Sequence, residues 1–364
     1  MPKYIYEYAG YPEFTWDTGQ ILDVLTCVAS RQGVIVGKMQ QFGFDVRQEA
    51  MLHTMTEEIT KSSEIEGEIL NSEQVRSSLA RRLNITLEKL VPESHHIDGV
   101  VQTIMDAVDN YAVPLTDERL FGWHASLFPT GYSGIRKIKV AAYRDGAMQV
   151  VSSKHYDETV HYDAPAASLV PHQMREFLDW LNASDNANPL LKAAIAHLWF
   201  VIIHPFDDGN GRLTRTITEM MLARSENTHL RFYSMSAQIQ KEKKDYYRTL
   251  EQTTNGDLNI TGWLAWFLGC LQRSIEASSE IVGNVLHKAE FWQKHSAEIS
   301  NPLQREIINR LIDGFVGNLS SGKAATLFKV SQDTASRLLK DLESRGFLSV
   351  QGSGRSTHYV LAKK

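Results

Sequence analysis

The sequence is poor in cysteine, with only Cys27 and Cys270 among 364 residues. Two isolated cysteines provide neither a disulfide framework nor the ligand spacing of a zinc site, and a reduced, cytoplasmic protein is the default expectation. The amino terminus lacks a basic segment followed by an apolar run, so no signal peptide is predicted. The apolar run 193–203 is interrupted by His197 and is too short to cross a bilayer, so we expect no membrane partner.

An excess of positive charge is also missing. The formal net charge is −5, which excludes a protein that coats nucleic acid over its whole surface but leaves room for one local basic module. The sequence contains neither a Walker loop, GxxxxGK[ST], nor a Rossmann GxGxxG after a strand, nor an HExxH zinc motif. With 43% hydrophobic and 22% charged residues, the composition is that of a soluble chain long enough for two or three domains.

Helical periodicity dominates the first 290 residues. The segment 190–203 is apolar on nearly all sides, which predicts a central buried helix that contains His197 as a packed core histidine. The pattern as a whole predicts helices over 18–31, 34–41, 46–60, 72–82, 100–113, 116–128, 168–181, 190–203, 211–224, 241–253 and 260–286.

One β-hairpin is predicted in this region. Residues 138–144 and 147–152 alternate in polarity on either side of Asp145 and Gly146, a typical turn pair. A further short extended piece is predicted over 159–163. The pattern fits two roles equally well: a flap whose free edge accepts another chain as an added strand, or a simple surface hairpin.

The pattern changes after about residue 290. Helices predicted over 302–312, 322–328 and 332–345 precede a hairpin of 347–350 and 357–361, which is the order of a winged helix-turn-helix. DNA binding is the favoured role, with a protein–protein module as the alternative. The residues suited to a recognition helix and to a wing tip are Ser331, Gln332, Thr334, Arg337 and Lys340 for the helix and Arg355 for the wing.

The densest chemistry lies in HPFDDGNGRLTR, residues 204–215. A Gly-Asn-Gly turn at the start of a helix exposes backbone N–H groups that bind anions. Arg212 and Arg215 are three residues apart, so both can face the same anion. Asp208 is a hard oxygen ligand that suits magnesium, and His204 can accept a proton from a hydroxyl. The residues alone therefore predict a nucleotide-phosphate site, whereas a zinc site at His204 and Asp208 lacks a third protein ligand.

A second polar stretch, KSSEIEGE, occupies residues 61–68. Gly67 can end the preceding helix, and three carboxylates within five residues are costly to bury together. From composition alone, a solvated helix end is the favoured interpretation of this stretch, ahead of a functional role.

These two stretches resemble the motifs of Fic-domain proteins. Residues 204–215 match the pattern HxFx[D/E]GNGRxxR, and residues 62–67 match the inhibitory pattern [S/T]xxxE[G/N]. The whole chain resembles bacterial Fic protein adenylyltransferases that have an N-terminal inhibitory helix and a C-terminal winged-helix domain. The resemblance implies a mainly α fold: a helical region over 1–110, a Fic helical bundle with a β-hairpin flap over 111–290, and a winged helix-turn-helix over 291–364.

The resemblance also implies roles for single residues. His204 would be the catalytic base, and Asp208 would hold Mg²⁺. Arg212 would bind phosphate, and Arg215 would bind the γ-phosphate. The implied ATP-binding set is completed by the anion hole, two neighbours in the motif and two tyrosines on the adenine side, which are Gly209, Asn210, Gly211, Leu213, Thr214, Tyr246 and Tyr247.

The same resemblance implies an inhibitory segment and a target-binding flap. Glu66, with Ser62 and Gly67 of its motif, would pair with Arg215 and force ATP into an unproductive pose. The flap that positions the target by strand addition would comprise Gln149, Val150, Val151 and Ser152.

The implied reaction transfers AMP from ATP to a Ser, Thr or Tyr hydroxyl of an unidentified target protein and of the enzyme itself. Two alternatives stay open at this point. The chain could be a DNA-binding regulator whose Fic domain senses nucleotides, or a deAMPylase in which Glu66 aligns a water molecule. Relatives suggest a homodimer in the bacterial cytoplasm.

Overall fold

The computed structural model describes residues 2–87, 91–92, 94–154, 157–184, 187–312, 315 and 317–362. The chain divides into two compact units, Met1–Ser279 and Glu280–Lys364. No helix within the described ranges is long and apolar enough to span a membrane.

The first unit is mainly helical, as predicted. Its helices are α1 Thr18–Gln40, α2 Phe44–Ile65, α3 Ser72–Arg82, α4 His95–Asp109, α5 Asp117–Leu127, α6 Val170–Asn182, α7 Pro189–Ile203, α8 Asn210–Glu226, α9 Met235–Lys241, α10 Lys243–Thr254 and α11 Thr261–His295, the last of which spans the division between the units. Its strands are β1 Tyr132–Ser133, β2 Arg136–Lys137, β3 Gln149–Lys154 and β4 Asp157–Asp163.

Helix α7 lies at the centre of this unit, which confirms the prediction for 190–203. Asn188 caps its first turn and Pro189 occupies the first helical position, where a missing N–H costs nothing. His197 is fully buried and its two ring nitrogens bond the hydroxyls of Thr218 and Tyr246. Burial lowers the pKa of His197 to about 3, so it is a neutral core residue, as predicted.

Several helix boundaries differ from the prediction. The helices predicted over 46–60, 100–113 and 260–286 span Phe44–Ile65, His95–Asp109 and Thr261–His295, and two divisions between helices are also wrong. Residues 18–31 and 34–41 form one helix, α1, because Gln32 is buried and bonds the hydroxyls of Ser225 and Tyr233, and this packing carries the helix through Gly33. Residues 241–253 belong instead to two helices, since α9 ends at Lys241 and α10 begins at Lys243.

The predicted hairpin pairing is wrong. Strand β3 pairs with β4, while 138–144 forms no strand, and residues 155–156 lie outside the described residues. The reason is tertiary: Arg144 is buried and bonds carbonyl oxygens of the core, and Ala141 adopts a left-handed conformation with φ 55°. The extended piece predicted over 159–163 supplies the true partner strand. A small ladder of β1 with β2 was not predicted.

After the end of α11, the described residues of the second unit form three α-helices followed by a hairpin. These elements are α12 Pro302–Ile312, α13 Ser321–Leu327, α14 Gln332–Ser344, β5 Leu348–Gln351 and β6 His358–Leu361. Ser331 caps α14, and β5 pairs with β6 beside a core built from residues such as Ile307, Leu339 and Phe347. The winged-helix assignment and DNA binding stay predictions.

Candidate functional site

Side chains from other parts of the chain donate hydrogen bonds to backbone carbonyl oxygens at the turn between α7 and α8. His204 ends α7 in a left-handed conformation with φ 50° and ψ 60°. Arg144 donates from Nε to the His204 oxygen at 2.8 Å and from its backbone N–H to the Pro205 oxygen at 2.9 Å. Tyr162, on β4, donates its hydroxyl to the Ile202 oxygen at 2.8 Å. These contacts satisfy the last carbonyls of α7, which a helix leaves without internal partners, and fix the direction of His204.

The protonation state of His204 suits a base. Its Nδ1 lies 3.3 Å from the Val201 oxygen, which can only accept, so Nδ1 carries the hydrogen and Nε2 carries the lone pair. Desolvation lowers the pKa of His204 to about 4, with the charge of Arg144 acting in the same direction. The imidazole is therefore neutral at pH 7 and can accept a proton.

The loop after His204 is built around Phe206. The amide of Asn210 makes two hydrogen bonds with the backbone of Phe206, at 2.9 and 2.8 Å. The ring of His124, on α5, stacks on Phe206 with centroids 4.3 Å apart. The Nδ1 of His124 accepts from Ala141, so its Nε2 must donate to the Asp208 oxygen. His124 was not identified from the sequence, because nothing local marks it as part of this loop.

The start of α8 is open to an anion. Gly209 precedes the helix with φ 79°, a conformation that favours glycine, and a Cβ there would collide with the ring of Phe128. Among the described residues no side chain caps the helix, so its first backbone N–H groups and the positive end of its dipole are available to an anion. A Cβ on Gly211 would overlap Oε1 of Glu66, which shows how closely that carboxylate approaches the turn.

Arg215 is held by the end of α2. Its side chain is 2% exposed, and Nη1 lies 2.9 Å from Oε1 of Glu66. Its Nε donates to Oγ of Ser62 and its Nη2 donates to the Ser62 oxygen, both at 2.8 Å. The structure therefore brings together the predicted inhibitory residues Ser62 and Glu66 and the predicted phosphate ligand Arg215, which are about 150 residues apart in the chain.

Arg212 is also held by a carboxylate, which sequence reasoning missed. Its Nη1 lies 2.9 Å from Oε2 of Glu68, and its guanidinium lies over the ring of Phe128 at 4.8 Å. The other oxygen of Glu68 bonds Nε2 of His96, on α4. Two signals could have suggested this pair: Glu68 is two residues after Glu66, and Arg212 is three residues before Arg215.

The chain reversal after α2 makes both contacts possible. Gly67 has φ 86°, and the backbone N–H groups of Glu66 and Glu68 both bond the Ser63 oxygen, which closes the helix end. The third carboxylate, Glu64, pairs with Lys61 and accepts from Gln240. Each of the three carboxylates therefore has a cationic partner, and for Glu66 and Glu68 that partner is a buried arginine of α8, which favours a functional role over a solvated helix end.

Asp208 is the candidate metal ligand. Its carboxylate accepts from Ser133 and from the backbone of Gly209, at the positive end of α8. Within the part of the chain that the structure describes, no cluster of three or more His, Cys, Asp or Glu side chains could hold a metal. Magnesium is commonly bound by one or two carboxylates together with substrate phosphates and water, so a single Asp208 fits an ion that arrives with a nucleotide.

The remaining predicted residues lie around this centre. Leu213 and Thr214 have fully buried side chains, so they face the core rather than solvent. Tyr246 is buried behind Arg215 and bonds His197, whereas the ring of Tyr247 is 39% exposed and accessible to a base. In the predicted flap, Gln149 and Val150 pair with Asp163 and Tyr162, while Val151 and Ser152 face Val160 and Thr159 in the strand register.

Comparison with known families identifies this site. Residues 114–222 match the Fic/DOC family, and residues 4–85 match a domain of unknown function, DUF4172. The matched region includes His204, Asp208, Arg212 and Arg215, so these residues lie in the part of the chain that matches the Fic/DOC family.

Similar proteins include curated adenylyltransferases. The "Protein adenylyltransferase Fic" of Nematostella vectensis is 35% identical over 115 residues, which is 31% of this chain and 25% of that protein. The "Protein adenylyltransferase fic-1" of Caenorhabditis briggsae is 32% identical over 129 residues, which is 34% of this chain and 24% of that protein. The chain thus aligns with about a quarter of the length of these curated relatives.

A solved structure shares the fold. The crystal structure of a Fic family protein from Desulfovibrio desulfuricans G20 superposes with a TM-score of 0.55 at 22% identity. The superposition covers 94% of this chain and 96% of that one. At this identity the likeness establishes the fold, and it confirms the predicted mainly α Fic architecture.

Proposed function

We propose that this protein transfers AMP from ATP to a hydroxyl group of a target protein and of itself. The observation that carries the proposal is the arrangement at one helix start: a neutral histidine with a free Nε2 lone pair, the open N-terminus of α8, and two buried arginines. This arrangement suits a polyphosphate substrate that is attacked by a hydroxyl.

In the proposed reaction, the hydroxyl oxygen of a Ser, Thr or Tyr side chain attacks the α-phosphorus of ATP. Its proton passes to Nε2 of His204, the bond from the α-phosphorus to the bridging oxygen breaks, and diphosphate leaves. The N–H groups at the start of α8 and the guanidinium of Arg212 stabilise the charge that develops on the phosphate oxygens. Arg215 would bind the γ-phosphate, and the partly exposed Tyr247 would contact the adenine.

Asp208 would hold Mg²⁺ in this reaction. The ion supplies a positive charge that neutralises the phosphates of the nucleotide. The residues of this chain supply its positioning: Ser133 and the backbone N–H of Gly209 orient the carboxylate, and His124 fixes the peptide oxygen of Asp208.

Glu66 would hold the enzyme in an inhibited state. Its carboxylate occupies Arg215, the cation that the γ-phosphate needs, and it lies against Gly211 at the start of α8. Because Arg215 is nearly fully buried, this ion pair is less screened by solvent than a surface pair. Release of Glu66 is therefore the step that would activate the enzyme.

The flap would present the target. Strands β3 and β4 form a two-stranded sheet, so each has an outer edge that can accept a further strand. Tyr162 of β4 also donates a hydrogen bond to the Ile202 oxygen near the end of α7, which supports a flap that acts close to His204.

Two labelled forms of ATP test the reaction. We expect label at the α-phosphate to enter the protein in the presence of Mg²⁺, while label at the γ-phosphate does not, because only AMP is transferred. Mass spectrometry of the labelled band should find AMP on Ser, Thr or Tyr residues. Incorporation of γ-label would instead indicate phosphorylation and would contradict the proposal.

Arg144 provides a second test through the position of His204. We expect Arg144→Lys to lower the transfer rate at least about tenfold with little change in ATP affinity, because one ammonium group cannot reproduce the fork that holds the helix end. Steady-state rates and calorimetry of ATP binding would separate the two effects. Arg175→Lys, at an exposed position on α6, is the control, and Tyr162→Phe is a milder variant should the first fail to fold. Unchanged transfer in both variants would exclude this positioning role.

Removal of AMP is the first alternative within the same site. Glu66 lies at the start of α8, where its carboxylate could align a water molecule against a modified hydroxyl. Incubation of an AMP-modified target with the unmodified enzyme, followed by mass measurement, distinguishes removal from transfer.

Gene regulation is the second alternative. Residues 280–364 contain more Lys and Arg than Asp and Glu, the reverse of the whole chain, and Arg337 and Lys340 are exposed on α14. Asp333 and Asp341 lie on the same face of α14, however, and their charges oppose binding of DNA phosphates. Salt-dependent binding of the full chain to its own promoter would support this role, and a homodimer would provide two copies of α14.

A further inference from the structure

We propose that Glu68 is a second residue that sets nucleotide affinity, because its carboxylate competes with substrate phosphates for Arg212. The proposal rests on the proposed function, in which phosphates bind at the start of α8. The proposed role of Glu68 differs from that of Glu66 because Glu68 pairs with Arg212 rather than Arg215, and because His96 also bonds its carboxylate. Its effect on nucleotide affinity should therefore persist when Glu66 is removed.

Arg212 needs an acceptor that the protein does not fully provide. The residue is 9% exposed, and within the described residues its buried Nε makes no hydrogen bond. Its Nη1 pairs with Glu68, and its planar group lies over Phe128, which fixes the orientation of the fork. A buried guanidinium with an unused donor, at the open end of α8, is suited to a phosphate oxygen.

Glu68 is anchored independently of Glu66. The imidazole of His96, on α4, bonds one oxygen of Glu68 while Arg212 takes the other. The hydrogen bond from His96 and the charge of Arg212 together hold the pKa of Glu68 below its usual value, so it stays ionised at pH 7. A permanent carboxylate at 2.9 Å from Arg212 is a direct competitor for an incoming phosphate.

The two carboxylates act on different arginines. Glu66 occupies Arg215 and Glu68 occupies Arg212, and each carboxylate side chain is about one third exposed, at 35% and 33%. Removal of Glu66 alone leaves Arg212 engaged, so a nucleotide would still have to displace Glu68. One short segment therefore supplies two carboxylates that each occupy a proposed phosphate-binding arginine. Only Glu66 belongs to the inhibitory motif in the sequence.

Calorimetry of Mg²⁺–ATP binding to the full chain tests the proposal. We expect Glu68→Gln to lower the Kd about fivefold, and to lower it further in a Glu66→Gly background, because Arg212 then becomes available. Glu64→Gln is the matched control: it removes the same charge from the same segment, but Glu64 pairs with Lys61 rather than with a phosphate-binding arginine. We expect that variant to leave the Kd unchanged.

The anchor gives a second, separable result. His96→Ala should lower the Kd by less than Glu68→Gln does, because Glu68 still pairs with Arg212 after it loses the hydrogen bond from His96. Combination of the two changes should add nothing to Glu68→Gln alone, because both act through one contact. Circular dichroism of each variant establishes that the fold is retained, and the conservative Glu68→Gln keeps the size of the side chain.

The outcomes separate this proposal from the proposed function. Suppose that Glu66→Gly binds ATP and transfers AMP, but that the Kd of Glu68→Gln equals that of the wild type or of Glu64→Gln. The proposed competition of Glu68 for Arg212 is then wrong, and the proposed function is retained. If no variant binds ATP, both proposals fail. If Glu68→Gln raises ATP affinity while no variant transfers AMP, competition at Arg212 is supported and the proposed reaction is wrong.

Discussion

Glu66→Gly is expected to raise autoadenylylation at least about tenfold over the wild type. The physical reason is the release of Arg215, which in the structure pairs with Glu66 at 2.9 Å and is then free for the γ-phosphate. The change also empties the space against Gly211, where a Cβ would overlap the carboxylate. Glycine leaves no side chain at the end of α2, so the start of α8 opens to the triphosphate. Incorporation of α-labelled ATP, followed on a gel over time, measures the effect.

The backbone at Glu66 permits this test. Glu66 caps α2 with φ −87° and ψ 5°, an ordinary conformation that glycine can adopt, and Ser62 still bonds Arg215 after the change. Glu64→Gly is the control, because it makes the same substitution two residues earlier without touching Arg215. An equal rise in both variants would mean that loosening of the helix end, rather than loss of the carboxylate, activates the enzyme. No rise in the Glu66 variant would exclude the inhibitory role.

His204→Ala is expected to abolish AMP transfer, with a loss of at least about a hundredfold in the Glu66→Gly background, where the starting rate is highest. The loss follows from the removal of Nε2, the acceptor for the proton of the target hydroxyl. ATP binding should persist, because the cations that hold the phosphates lie on α8. A rate measurement on the activated enzyme, paired with calorimetry of ATP binding, distinguishes loss of chemistry from loss of substrate.

A second substitution at residue 204 controls for an effect of alanine on the backbone conformation. His204 has φ 50°, which alanine tolerates poorly and asparagine tolerates better, so His204→Asn preserves the turn while it removes the base. His172→Ala, at an exposed histidine of α6, is the control and should transfer AMP normally. Full AMP-transfer activity in the His204→Asn variant would contradict the assignment of His204 as the base.

The substitutions at Glu66 and His204 both change side chains beside the start of α8. Glu66 and His204 both border the start of α8, and the charge of Glu66 opposes the lowering of the pKa of His204. Activation therefore removes a negative charge beside the base, which leaves His204 still neutral at pH 7. We therefore expect the proposed base to accept a proton in both states, and the proposed activation to act through access of the nucleotide.

The local sequence by itself determined the candidate phosphate site. Residues 204–215 contain the proposed base, the turn and both arginines within twelve positions, so neighbours along the chain and helical spacing were enough to predict it. The apolar character of 190–203 determined that α7 is buried, since a helix that is apolar on all sides has no surface to give to solvent. The inhibitory stretch was identified by resemblance, because its composition alone favoured a solvated helix end.

Only the tertiary structure decided what holds the site. Glu68 and Arg212 are 144 positions apart, and Arg144 and His204 are 60 apart, so no local pattern relates them. The wrong hairpin shows the same limit: the alternation of 138–144 favoured a strand, but burial of Arg144 among core carbonyls outweighed it. Helix and turn preferences depend on neighbours along the chain, whereas ion pairs and carbonyl contacts depend on which elements pack together.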